Sequence, residues 1–182
     1  MNVTELQLGG YAFGQKTFYS NKHLGIDLKA DYIEISFPVE LLNVSSSKGV
    51  DGGLTITGTD KLGFIHRFMH LQEVIWNGDI PRNVAFAITG NSGRRTTSAH
   101  LHWDIRKPES KSLAFSNFVD PEKWKQNILH NLITMRALAD WEENARKWAI
   151  DNGVSTGERP LEQVTRVELW ETLRKNEARN KT

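Results

Sequence analysis

A chain of 182 residues is long enough to bury one catalytic core and to carry a small appendage besides. Its hydrophobic fraction of 38% and charged fraction of 25% are those of a soluble globular protein and exclude disordered, fibrous and membrane-embedded classes. A net charge of +1 without a long basic run gives no reason to expect nucleic acid or an anionic membrane as partner, and the lack of cysteine leaves only nitrogen and oxygen to hold a metal.

The opening segment, MNVTELQLGG, has neither the basic residues nor the unbroken apolar run of a secretory leader, and no later stretch has the length to span a bilayer. The expectation is a protein made in the cytoplasm without an export signal. From the start to about residue 118, Gly, Thr and β-branched residues recur in short apolar runs, which predicts a mainly β, antiparallel domain. Strands are expected near 24–28, 32–37, 54–57, 63–69, 84–88 and 100–106. Asp51-Gly52-Gly53, Asn77-Gly78 and Gly90-Asn91-Ser92-Gly93 supply the turns between them.

The pattern changes at Asp120-Pro121-Glu122, where a capping Asp, a Pro at the first helical position and an early acid predict a helix. Trp124, Ile128, Leu132, Met135 and Ala139 continue it at helical spacing, up to a stop at Gly153. Thr165 and Glu168 form a capping-box pattern for a second helix. The division expected is a catalytic β domain over 1–119 and an α-helical extension over 120–182.

Five of the six histidines lie between residues 23 and 102, and four of these fall in two close pairs, His66 with His70 and His100 with His102. In His100-Leu101-His102-Trp103-Asp104-Ile105, strand alternation puts both imidazoles and Asp104 on one face and the apolar residues on the other. In His23-Leu24-Gly25-Ile26-Asp27-Leu28 the same alternation joins His23 to Asp27 and turns Leu24, Ile26 and Leu28 inward. Two imidazoles and a carboxylate suit zinc, leaving a fourth position for water, the arrangement of a hydrolytic site. His66 shares a face with His70 by alternation but is set aside as a ligand. His130, in the predicted helix, is read as a packing or surface residue.

Taken in order, His23-Leu24-Gly25-Ile26-Asp27, Phe68-Met69-His70-Leu71, Gly90-Asn91-Ser92-Gly93 and Ala99-His100-Leu101-His102-Trp103 resemble the lysostaphin-like zinc peptidases over roughly residues 9–106. The resemblance implies that His23, Asp27 and His102 hold one zinc ion and that His70 and His100 serve the reacting centre without binding the metal, their roles undivided. It also implies hydrolysis of peptide bonds in peptidoglycan cross-bridges or stem peptides. Departures from the family pattern are Phe68 where a tyrosine is common, Ala99 where a proline often stands and Asp104 where glutamate is frequent. A tyrosine hydroxyl at position 68 would be a candidate contact to substrate. Arg94 and Arg95, in the loop before the HxH pair, are candidate contacts to substrate carboxylates.

The stretch Trp148–Val154, followed by Val164–Leu169, resembles a single S-layer-homology-like unit of the kind appended to phage lytic enzymes. It implies wall attachment; the competing reading is a helical pair that packs on the catalytic domain or dimerises. The expected activity is a zinc endopeptidase acting on bacterial peptidoglycan, with a phage endolysin released through a holin-type pore as one setting. The alternative is a non-catalytic wall-binding or regulatory module that keeps the peptidase fold. A D-alanyl-D-alanine carboxypeptidase is disfavoured by the absence of a Glu-x-x-His segment.

Overall fold

Alternate burial of β-branched and aromatic side chains drives the chain into strands wherever one face can be covered. The computed structural model describes residues 1–110, 112–128, 130, 143–145, 147, 148 and 151, and the chain divides into two units, 1–129 and 130–182. Among the described residues the strands, all in the first unit, are β1 (Gly25–Leu28), β2 (Glu34–Ser36), β3 (Leu42–Gly49), β4 (Gly53–Thr59), β5 (Ile65–Leu71), β6 (Glu73–Val74), β7 (Ala85–Ile88), β8 (Leu101–Arg106) and β9 (Phe118–Val119). They pair antiparallel into a larger sheet of order β1-β8-β5-β4-β3, with β9 added to β8, and a smaller sheet of order β2-β7-β6. The fold is thus mainly antiparallel β, as composition and turn spacing predict.

All six expected strands form. The sequence pattern does not predict β3, β6 and β9: β6 and β9 are only two residues long, and the Ser-rich run of β3 is exposed along most of its length and shows no alternation. Pairing with β4 through the Asp51-Gly52-Gly53 turn makes β3 a strand, and Gly53 takes the positive φ of 67° that the turn requires.

One face of the larger sheet is an aromatic core. Leu101, Trp103 and Ile105 of β8 are fully buried, as are Phe68 of β5 and Phe37 just after β2. The Phe37 ring lies 5.3 Å from Phe68, 5.6 Å from Trp103 and 5.4 Å from Trp124, distances at which aromatic pairs add about 0.5–1.5 kcal/mol beyond area burial. Trp124 belongs to α1 (121–128), whose start is capped as the sequence predicts: Glu122 N–H donates to Asp120 Oδ1 at 3.0 Å. His130, residues 143–145, Lys147, Trp148 and Asp151 are helical. Leu132, Met135, Ala139, the stop at Gly153, the second helix with Thr165 and Glu168, and the S-layer-homology-like stretch apart from Trp148 and Asp151 lie outside the described residues. Among the described residues no helix is long and apolar enough to cross a membrane.

His66 is part of this core. It is fully buried, its ring 4.6 Å from Trp124, and its Nε2–H donates to Asp60 Oδ2 at 3.1 Å while Nδ1 accepts the Trp103 indole N–H at 3.4 Å. Both nitrogens are therefore used by the neutral ring, and a proton on Nδ1 would displace the indole donor. Burial pushes its pKa below 6.5, opposed by the hydrogen bond and charge of Asp60. Since the unfolded chain takes up that proton first, stability is full above pH 6.5 and falls as the pH drops below it, at up to about 1.4 kcal/mol per pH unit. Urea titrations between pH 7 and pH 5 are expected to show a shallower loss of stability for His66→Gln than for the wild type; equal slopes would contradict a buried neutral His66.

Candidate metal centre and its cleft

The other face of the larger sheet carries the polar residues. The β1–β8 register sets Asp27 opposite His102 and Gly25 opposite Asp104, and the β5–β8 register sets Met69 opposite His102 and Arg67 opposite Asp104. Paired residues share a face, so His102, Asp104, Asp27 and Arg67 all point away from the aromatic core. His23 precedes β1 and joins them from a loop fixed by His23 N–H donating to Gln15 O at 2.8 Å.

Three atoms converge: His23 Nε2 and His102 Nδ1 are 3.0 Å apart, His102 Nδ1 and Asp27 Oδ1 2.9 Å, and His23 Nε2 and Asp27 Oδ1 3.3 Å. The outer polar atom of each side chain is already engaged. His23 Nδ1–H donates to Ala12 O at 3.3 Å, His102 Nε2–H to Asp104 Oδ2 at 3.3 Å, and Asp27 Oδ2 accepts Tyr11 N–H at 3.3 Å. Since carbonyl and carboxylate oxygens only accept, the rings carry their protons on the outer nitrogens, leaving three lone pairs facing one another. Such a cluster is stable only around a cation or a shared proton. A tetrahedral ion with bonds of about 2.0–2.2 Å sets its ligand atoms roughly 3.3–3.6 Å apart, so the separations of 2.9–3.3 Å need open by only a few tenths of an ångström to admit one. His23, Asp27 and His102 thus form a group able to hold a metal ion, and their donor chemistry fits zinc.

The electrostatics agree with a centre built for positive charge. Burial would push the Asp27 carboxyl up, but with a proton shared among the three inner atoms the hydrogen bonds and charge of His102 and His23 hold it well below the usual carboxylate range. Burial would push His102 down, and the hydrogen bonds and charges of Asp104 and Asp27 raise it instead. Asp104, against its own burial, is held low by His102 and Arg67.

His70 and His100 stand beside this group with ring centroids 4.8 Å apart. His100 Nδ1–H donates to Ser98 O at 2.8 Å, which leaves Nε2, 3.7 Å from Asp27 Oδ1, with a free lone pair. His70 Nδ1–H donates to Ser92 O at 2.8 Å, freeing its Nε2 likewise. Burial pushes the His70 pKa down to about 4, helped by the charges of His100 and His102, so it is neutral near pH 7.

Strict alternation along β5 would have put His70 with His66 and Phe68 on the core face. Instead the β4–β5 register shifts between Leu54 and Ile56, which face Leu71 and Phe68, so β5 holds one extra residue there. His70 sits in this bulge at φ 64°, its N–H donating to Gly52 O at 3.0 Å, and its side chain is turned to the site. The expected shared face of His66 and His70 is corrected accordingly. Phe68 is wholly buried on the core side, so a hydroxyl at this position would meet the core rather than substrate.

These groups line an open cleft of about 1210 Å³ whose walls include Arg95, Thr96, the exposed Phe18 and Tyr19, and Leu113. Arg95 reaches Asp51 at 3.0 Å and Arg94 reaches it at 3.7 Å; Arg95 lines the cleft, whereas Arg94, 77% exposed, lies outside its lining. Sequence reading missed Arg67, whose link to Asp104 depends on strand register, and Ser92, whose carbonyl holds His70 while its hydroxyl donates to Leu71 O at 2.7 Å. It also missed the Thr17–Lys22 loop, since nothing in its composition marks it as a wall of the cleft.

Gly25 has a specific reason to be glycine. A Cβ there would lie 2.3 Å from Trp103 O and 2.8 Å from Asp104 Cβ. Gly25→Ala is therefore expected to cost about 1–3 kcal/mol of stability, seen as a lower urea midpoint with unchanged slope. An unaltered midpoint would mean that β1 and β8 pair more loosely than described.

No protein-family model and no curated protein matches the chain. Its structure is similar to that of LytU, with a TM-score of 0.54 and 25% identity over 63% of this chain and 81% of LytU. It is also similar to the catalytic domain of the antimicrobial peptidase lysostaphin from Staphylococcus simulans, with a TM-score of 0.51 and 21% identity over 64% of this chain and 90% of that domain. A longer lysostaphin structure from the same species gives a TM-score of 0.51 and 20% identity over 65% of this chain and 48% of that one. The chain has the lysostaphin-like peptidase fold that its HxxxD and HxH segments led one to expect.

Proposed function

We propose that this chain is a zinc-dependent endopeptidase that hydrolyses peptide bonds in bacterial peptidoglycan, with His23, Asp27 and His102 as metal ligands and His70 and His100 as the groups that handle protons. The observation that carries this reading is the convergence of three lone-pair atoms whose side chains are otherwise fully engaged. Likeness in fold to an antimicrobial peptidase supports the class of reaction, and the cleft supports the class of substrate. At about 1210 Å³ it exceeds the roughly 300–1,000 Å³ of sites for small ligands and has room for a segment of polymer.

Zinc bound here would supply Lewis-acid polarisation of the scissile carbonyl and would acidify water at neutral pH. The protein's own contribution comes from the two carbonyl-anchored histidines. His70, neutral near pH 7, offers a free Nε2 lone pair as a proton acceptor, and His100 presents its Nε2 to the same space. In hydrolysis the water loses a proton, the C–N bond breaks, and the departing nitrogen gains a proton; the neighbouring His70 and His100 imidazoles, 4.8 Å apart by ring centroid, serve these transfers. Arg95, on the cleft wall, is a candidate contact to a substrate carboxylate.

Two measurements test the reading. Digestion of purified peptidoglycan by the zinc-loaded protein, followed by mass spectrometry beside a chelated control, is expected to reveal new amino termini that vanish on chelation. Intact walls of several cross-bridge types despite stoichiometric zinc would instead favour a wall-binding module. Among variants, His102→Ala is expected to lose bound zinc, whereas His100→Ala keeps it and loses about 10²–10⁴ in turnover. Unchanged zinc content in His102→Ala would remove the ligand assignment.

A further inference from the structure

We propose that Arg67 and Asp104 are positioning residues for the metal centre, fixing the His102 ring so that Nδ1 faces His23 and Asp27 while Nε2 keeps its proton. The proposal rests on the zinc reading above and assigns a role to two residues outside the three proposed ligands, which act through His102.

The two residues sit in one row across three strands, Gly25 of β1, Asp104 of β8 and Arg67 of β5, next to the row that holds Asp27 and His102. Asp104 is fully buried, and its Oδ2 accepts Arg67 Nε–H at 2.9 Å, Arg67 Nη2–H at 2.6 Å and His102 Nε2–H at 3.3 Å. Its Oδ1 has no hydrogen-bond partner among the described residues. Among the described residues every donor that reaches Asp104 thus comes from Arg67 or His102, and the carboxylate satisfies no backbone group that would explain it as a fold element. A buried carboxylate is unfavourable unless paired, and the Arg67 guanidinium supplies the pair from the cleft side, where it is 25% exposed.

The effect on His102 follows from acceptor chemistry. Asp104 can only accept, so it favours the ring orientation and tautomer with Nε2–H towards it. Turning the ring over would present carbon to both Asp104 and Asp27. A carboxylate on the outer nitrogen also makes the inner one a stronger donor, and loss of such partners typically weakens metal binding 10–100-fold. Arg67 keeps the Asp104 oxygen in place with two donors of one rigid fork, which a lysine supplies only as a single point charge. Space for the row exists because Gly25 has no Cβ to strike Asp104.

The test uses the full chain and zinc alone, with affinity read by competition against a chromophoric chelator. Asp104→Asn is expected to bind zinc 10–100-fold more weakly, Asp104→Glu to recover most of that loss, and Arg67→Lys to fall between. A second readout needs no metal: the His102 Nε2–H proton, identified as the imidazole resonance that His102→Gln removes, is expected in spectra of the metal-free wild type and absent in Asp104→Asn. Zinc affinity equal to wild type in both Asp104→Asn and Arg67→Lys would overturn the proposal. Should Asp104→Asn fail to fold, Arg67→Lys carries the test, and an unchanged affinity there overturns it. A wild type that binds no zinc would remove the zinc reading instead, while persistence of the imidazole resonance and its loss in Asp104→Asn would still uphold the positioning.

Discussion

The pairing of Asp27 with His102 across β1 and β8 is the constraint on which the site depends. A slip of one residue in that register would turn Asp27 into the core and bring Ile26 to the cleft, because side chains alternate with a period of two. What prevents the slip lies on the opposite face. Ile26 and Leu28 of β1 and Leu101, Trp103 and Ile105 of β8 are all at most 1% exposed, and each full burial of such a side chain is worth about 1.5–3 kcal/mol. Apolar packing on one side of the sheet thereby sets the geometry of the polar cluster on the other.

That geometry runs against the usual preference for solvated charge. Asp27 and Asp104 are both buried carboxylates, and in isolation either would be neutralised by burial. Each is instead favoured as the ion by neighbours that carry or can take up positive charge: His102 and His23 for Asp27, His102 and Arg67 for Asp104. His102 is common to both and draws its raised pKa from them. The alternation of acceptor, imidazole and acceptor, ending in a guanidinium, leaves one net demand unmet, a positive charge among His23 Nε2, His102 Nδ1 and Asp27 Oδ1. A divalent cation would meet it by accepting all three lone pairs at once.

How much of this was legible in the sequence follows from which residues obey local periodicity. His23 with Asp27 and His100 with His102 lie in or beside regular strands, so alternation alone placed them on one face, and the structure brings all four together. The same alternation failed for His70, because a bulge is a property of how β5 pairs with β4 and leaves no mark in β5 itself. It failed for β3 for a related reason: exposed serines have no preferred face, and only the neighbouring strand makes them extended. Arg67 was invisible as a partner of Asp104 since their approach, 37 residues apart in the chain, exists only once the register of β5 and β8 is set.

The departure at His70 is also one of the places where the backbone takes a positive φ without a glycine. A non-glycine residue in the left-handed region costs on the order of 1–3 kcal/mol and persists only when its surroundings over-determine it. Here they do: the His70 N–H donates to Gly52 O, its carbonyl accepts Ser92 N–H at 3.4 Å, and its ring donates to Ser92 O at 2.8 Å. Ser92 is itself tied down, accepting Leu54 N–H at 2.9 Å at the hydroxyl that donates to Leu71 O. Gly53 lets this loop approach, since a Cβ there would lie 2.3 Å from the Ser92 carbonyl. The β3–β4 turn and the loop before β8 therefore act together to keep an imidazole on the site face that an unbulged strand would have buried among Phe37, Phe68 and Trp103.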